Sequence, residues 1–200
     1  MTADTAAAST TATRGRPRSA EADAAIEQAT VDLLATEGYA NLTMSGVAHR
    51  AGVSTATLYR RWSSKLELVV DVLAERAEQY PVPDTGTLEG DCRAILENLV
   101  DKARTTQSTP LMAGLVGEIG RNPELATALR ANLIGPRREA LFEVFRRAKT
   151  RGELASGVDI GVASDLLFGP FYHRLLFTGE PVTPRVADKL CDLVLKAVSA

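Results

Sequence analysis

Cysteine and histidine occur only twice each in these 200 residues, and Cys92 and Cys191 have no Cys-x-x-Cys or His-spaced neighbour. A disulfide framework and a zinc site both need closer-set ligands, so neither is expected and a reducing cytoplasm is the natural compartment. No Ser-His-Asp grouping and no glycine-rich phosphate loop is present, and no cofactor or metal is called for. No apolar run reaches the length that spans a bilayer, and the opening MTADTAAASTTAT lacks the charged start and apolar stretch of a signal peptide. That segment reads as a disordered Ala/Thr-rich tail. An excess of charge is missing as well: 23 basic residues face 25 acidic ones, for a formal net charge of -2. Any affinity for a polyanion must therefore be local.

What is present is helical spacing, punctuated by proline and glycine, with no convincing alternating strand. The fold class is all-α. A first helix is predicted over 19–37, with Ile26, Ala29 and Leu33 on one face and Gly38 as its stop. A second follows Thr43 and ends near Ala51. Ala51-Gly52-Val53-Ser54 reads as a tight inter-helix turn, Gly52 taking a positive φ and Ser54 capping a recognition helix over 55–62. Ser64-Lys65-Leu66-Glu67 is a capping box for a helix reaching about residue 80. Further helices are expected over 88–105 and 111–120, from Asn122-Pro123 to Gly152 with a kink or division at Gly135-Pro136, over 159–178, and from Thr183-Pro184 to the C-terminus. The implied organisation is a basic arm (1–18), a helix-turn-helix domain (19–65) and a larger helical regulatory and dimerisation domain (66–200).

The basic signal is concentrated in one place. Between Glu37 and Glu67 there is no Asp or Glu, while Arg50, Arg60, Arg61 and Lys65 all fall inside. A surface that meets phosphates has no use for carboxylates, so this window is the candidate DNA face. Upstream, Arg14, Arg16 and Arg18 in Arg-Gly-Arg-Pro-Arg suit an arm lying along a narrow A·T minor groove, or a merely solvated tail. His49 in the window is either a phosphate support or a plain surface residue. His173, beside Arg174 in an apolar helix, fits an interface or pocket rim better than catalysis.

The first helix, Leu42-Thr43-Met44, Val47-Ala48, Ala51-Gly52-Val53-Ser54, Thr57-Leu58-Tyr59, Arg60 and Ser64-Lys65 resemble, in order and spacing, the N-terminal domain of TetR-family transcriptional regulators. NPELATALR, Pro136-Arg137-Arg138 and LLFGPFYHRLLFTGEPVT resemble a recurrent regulatory domain of that family over roughly 110–200. The resemblance implies an all-helical homodimer whose small domain reads DNA and whose large one dimerises and holds an effector. It places Leu58 and Trp62 in the core of the reading head, and puts Tyr59 and Lys65 at positions that touch phosphate. Two departures stand out: Gly46, where relatives often carry an acid, and Ala56, often glycine. The expected DNA-contacting set is Arg14, Arg16, Arg18, Thr43, Ser54, Thr55, Ala56, Thr57, Tyr59, Arg60, Arg61 and Lys65. Its methyls and hydroxyls suit thymine contacts better than bidentate guanine reading.

In the larger domain, apolar residues from Ile160 to Phe177 cover most of a helix circumference, whereas the last helix carries one stripe. The pair is expected to pack inward on one side and against a second subunit on the other, through Leu166, Leu167, Phe171, Leu175, Leu190, Leu193, Val194 and Ala197. Met112, Leu115, Val116, Ile119, Phe142, Phe145, Phe168, Phe171 and Tyr172 are the candidate ligand-pocket lining. The reading is a repressor, nucleoid-associated when bound, released from a near-palindromic operator on double-stranded DNA by a small apolar or amphipathic effector. An effector-free architectural DNA-binding protein, and a helical enzyme using Cys92 or His173, are the alternatives.

Overall fold

The computed structural model describes residues 17–78, 82–104 and 108–199. Among the described residues the secondary structure is helical, apart from one isolated bridge pairing Leu154 with Ser199. No described helix is long and apolar enough to cross a membrane. Arg14 and Arg16 lie outside the described residues; Arg18 falls in the first turn of α1 (Pro17–Thr36).

α1 buries Ile26, Ala29, Leu33 and Leu34, and the buried Thr30 hydroxyl is satisfied by donating to the Ile26 carbonyl at 2.8 Å. Gly38 takes φ 76 and stops α1, but the chain then makes a further helical turn, α2 (Gly38–Asn41), which buries Tyr39. The sequence reading had no helix there. α3 (Met44–Ala51) opens on Thr43, whose Oγ1 accepts from the Gly46 N–H at 3.0 Å, and closes on Gly52 at φ 68. α4 (Thr55–Tyr59) opens on Ser54, whose Oγ accepts from the Thr57 N–H at 3.1 Å. It is shorter than expected. Arg61 and Trp62 both donate their N–H to the Leu58 carbonyl, which tightens the last residues into a turn.

α5 (Lys65–Glu78) begins with the Glu67 N–H donating to Ser64 Oγ at 3.2 Å. The Glu67 carboxylate reaches one residue beyond the usual capping box, accepting from both the N–H and the hydroxyl of Ser63, and these bonds hold its pKa below the ordinary carboxylate value. α6 (Leu88–Arg104), α7 (Ser108–Ile119) and α8 (Pro123–Leu129) follow, α8 being capped by Asn122.

Gly135-Pro136 neither ends the helix nor simply bends it. A π turn, Arg130–Ile134, joins α8 to α9 (Gly135–Thr150), with the Gly135 N–H donating to the Arg130 carbonyl five residues back. Pro136 has no N–H to offer in a regular α register, and the wider turn accommodates that loss. A Cβ on residue 135 would sit 2.8 Å from the Arg130 carbonyl oxygen, so glycine is required by close approach. α10 (Ile160–His173), capped by Asp159, passes through a second π turn, Arg174–Thr178, to Gly179 at φ 67. α11 (Pro184–Val198) is capped by Thr183.

Two hydrophobic cores result. The first joins α1 to α5 and takes in Leu111 and Leu115 of α7 and Leu125 and Leu129 of α8. The second joins α6, α9, α10 and α11 around Leu96, Phe145, Leu167 and Cys191. At its edge Asp91, fully buried, accepts from the N–H and hydroxyl of Thr85 and lies 3.5 Å from Arg147, pinning the loop before α6. The division between cores does not fall at residue 65.

Candidate nucleic-acid interface

Leu58 is fully buried and Trp62 nearly so, and this i, i+4 pair fixes which side of α4 faces inward. Thr55, Ala56, Tyr59 and Arg60 are consequently exposed, together with the caps Thr43 and Ser54, while Thr57 is half-buried with its hydroxyl 2.9 Å from Ser54 Oγ. Tyr59 keeps 57% of its surface in water, unusual for a large aromatic ring and suited to a contact partner. These seven side chains are brought to one edge by two capped helices and the Gly52 turn between them.

The cations of the acid-free window behave differently from what the window alone implies. Arg50 donates to Asp32 on α1 through Nε (3.3 Å) and Nη2 (3.0 Å). Arg61 pairs with Asp23, also on α1, and its guanidinium lies 4.4 Å from the Trp62 ring centroid. Lys65 points inward: Nζ donates to the carbonyls of Tyr39 (3.0 Å), Ala40 (3.1 Å) and Leu42 (3.2 Å) and lies 4.6 Å from the centre of the Tyr39 ring. All three ammonium protons are matched at the carbonyl end of α2. In this structure Lys65 holds α2 against α5, a cation placed on the negative end of a helix. Arg50, Arg60 and Arg61 all remain exposed, while Lys65 is half-buried. His49 is exposed too, on a cleft of about 380 Å³ shared with Thr43, Gly46 and Arg50.

In the larger half the expected pocket lining is spread out. Leu115 belongs to the first core, and Phe145 and Phe171 are buried to within 2% or less of full coverage. Val116 is 44% exposed. Met112, Ile119, Phe142, Phe168 and Tyr172 are half-buried, Arg138 lies 5.1 Å from the centre of the Phe142 ring, and burial pushes the Tyr172 phenol up. The expected interface residues also divide. Leu166, Leu193 and Ala197 are exposed, and Leu175 and Leu190 are half-buried. Leu167, Phe171 and Val194 are corrected: each is at most 2% exposed, packed inside its own protomer, and cannot meet a second one. Sequence reasoning passed over Val162 and Phe177 as outward positions, although they are 65% and 76% exposed. Val162 sits four residues before Leu166, a spacing that places both on one face.

Comparison with known proteins agrees with this geometry. Residues 26–72 match the family profile described as bacterial regulatory proteins, tetR family, and residues 82–194 match the tetracyclin repressor-like C-terminal domain. The uncharacterized HTH-type transcriptional regulator YdeS of Bacillus subtilis is 34% identical over 188 residues, covering 94% of each chain. The DNA-binding transcriptional repressor TetR of Mycobacteroides abscessus is 32% identical over 184 residues, 91% of this chain and 94% of that one. The crystal structure of the TetR family transcription regulator SCO0332 superposes with a TM-score of 0.72 at 35% identity, covering 89% of this chain and 98% of that one.

Proposed function

The chain belongs to the TetR family of bacterial regulatory proteins, and from that premise we propose that it is a homodimeric repressor whose effector binds in its larger half. Its role as a helix-turn-helix transcriptional regulator is non-enzymatic, like that of its relatives. The reading head is built on α1 to α4, the larger remainder regulates and dimerises, and the segment before α1 is an arm that carries Arg14 and Arg16 to an adjacent minor groove, with Arg18 at the start of α1 beside it. Thr43, Ser54, Thr55, Ala56, Thr57, Tyr59, Arg60 and Arg61 make the contacts in and beside the major groove. Two such heads related by a two-fold axis reach successive major grooves about 34–36 Å apart, which calls for a near-palindromic operator.

The observation that carries this proposal is the apolar surface left on the last two helices. Val162, Leu166 and Phe177 from α10 and the turn after it, and Leu193 from α11, stand exposed at 43% to 76%. Surface of this kind favours a self-complementary contact. Regulation is supported by the first core, in which Leu111 and Leu115 of α7 and Leu125 and Leu129 of α8 belong to the same cluster as Leu58 of α4. A small apolar or amphipathic molecule that favours one arrangement of α7 and α8 acts on the head directly, and it needs a preference of only about 1–3 kcal/mol to do so.

Footprinting of the DNA flanking the gene, with wild type and Leu193→Arg side by side, tests the proposal. Wild type should protect a near-palindrome. The variant, which forces a charge into the contact, should sediment as a monomer and lose protection. A variant that sediments as a dimer removes the interface, a monomer that protects the same site removes the two-fold reading, and diffuse protection by the wild type favours the architectural alternative.

A further inference from the structure

Two carboxylates of α1 are paired with cations of the acid-free window. Asp32 holds Arg50, and Asp23 holds Arg61, the second residue past α4, across 38 residues of sequence. In the second pair both side chains remain open to water, at 38% for the arginine and 44% for the aspartate, so a competing anion has access. The rest of Arg61 is anchored. Its guanidinium lies against the buried Trp62 ring, and Trp62 is fixed in turn by donating its Nε1–H to Asp71 of α5 at 2.8 Å. A rigid ring therefore positions the arginine, and a carboxylate occupies its charged edge.

We infer that Asp23 is an internal stand-in for the DNA backbone, occupying Arg61 in the free protein and yielding it to a phosphate on binding. The inference rests on the DNA-binding reading above and names a residue, outside the helix-turn-helix, that sets how readily the head takes up DNA. Carboxylate and phosphate offer a guanidinium the same planar acceptor pair, so the exchange needs no change of arginine chemistry. An exposed ion pair is weak, which keeps the exchange easy.

The test uses the full-length protein and a 30-bp duplex of arbitrary sequence, with fluorescence anisotropy over a series of salt concentrations, on wild type, Asp23→Asn, Arg61→Ala and the double variant. Asp23→Asn should bind roughly 1.5- to 5-fold tighter, in keeping with the weakness of exposed pairs. Because Arg61 meets a phosphate in both complexes, the log–log salt slope of Asp23→Asn should match that of wild type, whereas Arg61→Ala should lower the slope by about 0.9 per protomer. In the Arg61→Ala background the same aspartate change should have little effect, and thermal melts of all four proteins identify any loss through unfolding. Unchanged or weaker binding by Asp23→Asn makes Asp23 a strut and overturns the inference. So does a gain that persists undiminished without Arg61, which is general repulsion. A wild type that fails to bind the duplex even at low salt removes the DNA-binding reading itself, and this is distinguishable because the other outcomes all require a wild type that binds.

Discussion

The two cores of this protein are assembled by different means. In the first, α3 and α4 are set by devices lying within three residues of where they act: Thr43 and Ser54 at helix starts and Gly52 between them. In the second, the long helices α6, α9, α10 and α11 meet across the length of the chain, with π turns beside two of them and the buried Asp91 facing Arg147 at the rim. The difference teaches that the caps and turn of a helix-turn-helix can be encoded locally, whereas the second core depends on pairings between distant segments.

The contrast is open to attack in order of expected effect. Leu58→Ala and Leu167→Ala each empty a fully buried site in one core and should each cost about 2–5 kcal/mol. Hydrogen exchange should then accelerate in α7 and α8 for the first variant and in α9 and α10 for the second. Protection in α7 and α8 that is indifferent to Leu58→Ala would break the division between cores. Gly135→Ala drives a methyl against the Arg130 carbonyl and should cost about 1–3 kcal/mol in thermal denaturation; a neutral outcome would mean that the π turn relaxes freely.

Lys65→Met keeps the stem and removes the ammonium that joins α2 to α5, at an expected loss of about 1–2 kcal/mol. If its work is positional, the salt dependence of DNA binding should hold steady while stability falls. A slope lower by about 0.9 per protomer would restore it to the phosphate contacts. The smallest effect concerns Lys102, whose ammonium is pushed down to about 8 by burial and then by the nearby Arg137 and Arg76. Between that value and the 10.5 of an unhindered lysine, unfolding takes up a proton, so wild-type stability should rise with pH across this window. Lys102→Met should melt higher than wild type at pH 7, with the advantage fading toward pH 10.5; a constant difference across the window would show that the burial is not felt.

What the sequence made legible follows the same line. The caps at Thr43, Ser54, Asn122 and Thr183 and the Gly52 turn were readable because donor, acceptor and backbone bend all fall within a few residues. The inward pair Leu58 and Trp62 was readable from one helical turn. α2 was not: Gly38 does end α1, but the turn after it is held by Lys65, more than twenty residues on. The acid-free window located the basic surface correctly and misjudged its state, because the carboxylates that occupy Arg50 and Arg61 come from α1. Apolar residues all round α10 announced two buried sides without saying which was which, and Leu167 and Phe171 were given to the wrong one.

The first core leaves no clean place to cut the chain. A chimera that imports residues up to 65 from another regulator would set foreign side chains against the resident Leu111, Leu115, Leu125 and Leu129. Recombination at that seam should yield poorly packed hybrids unless α7 and α8 travel with the transplanted segment. In this protein, the helix-turn-helix is inherited together with two helices from the far side of α6 that complete its core.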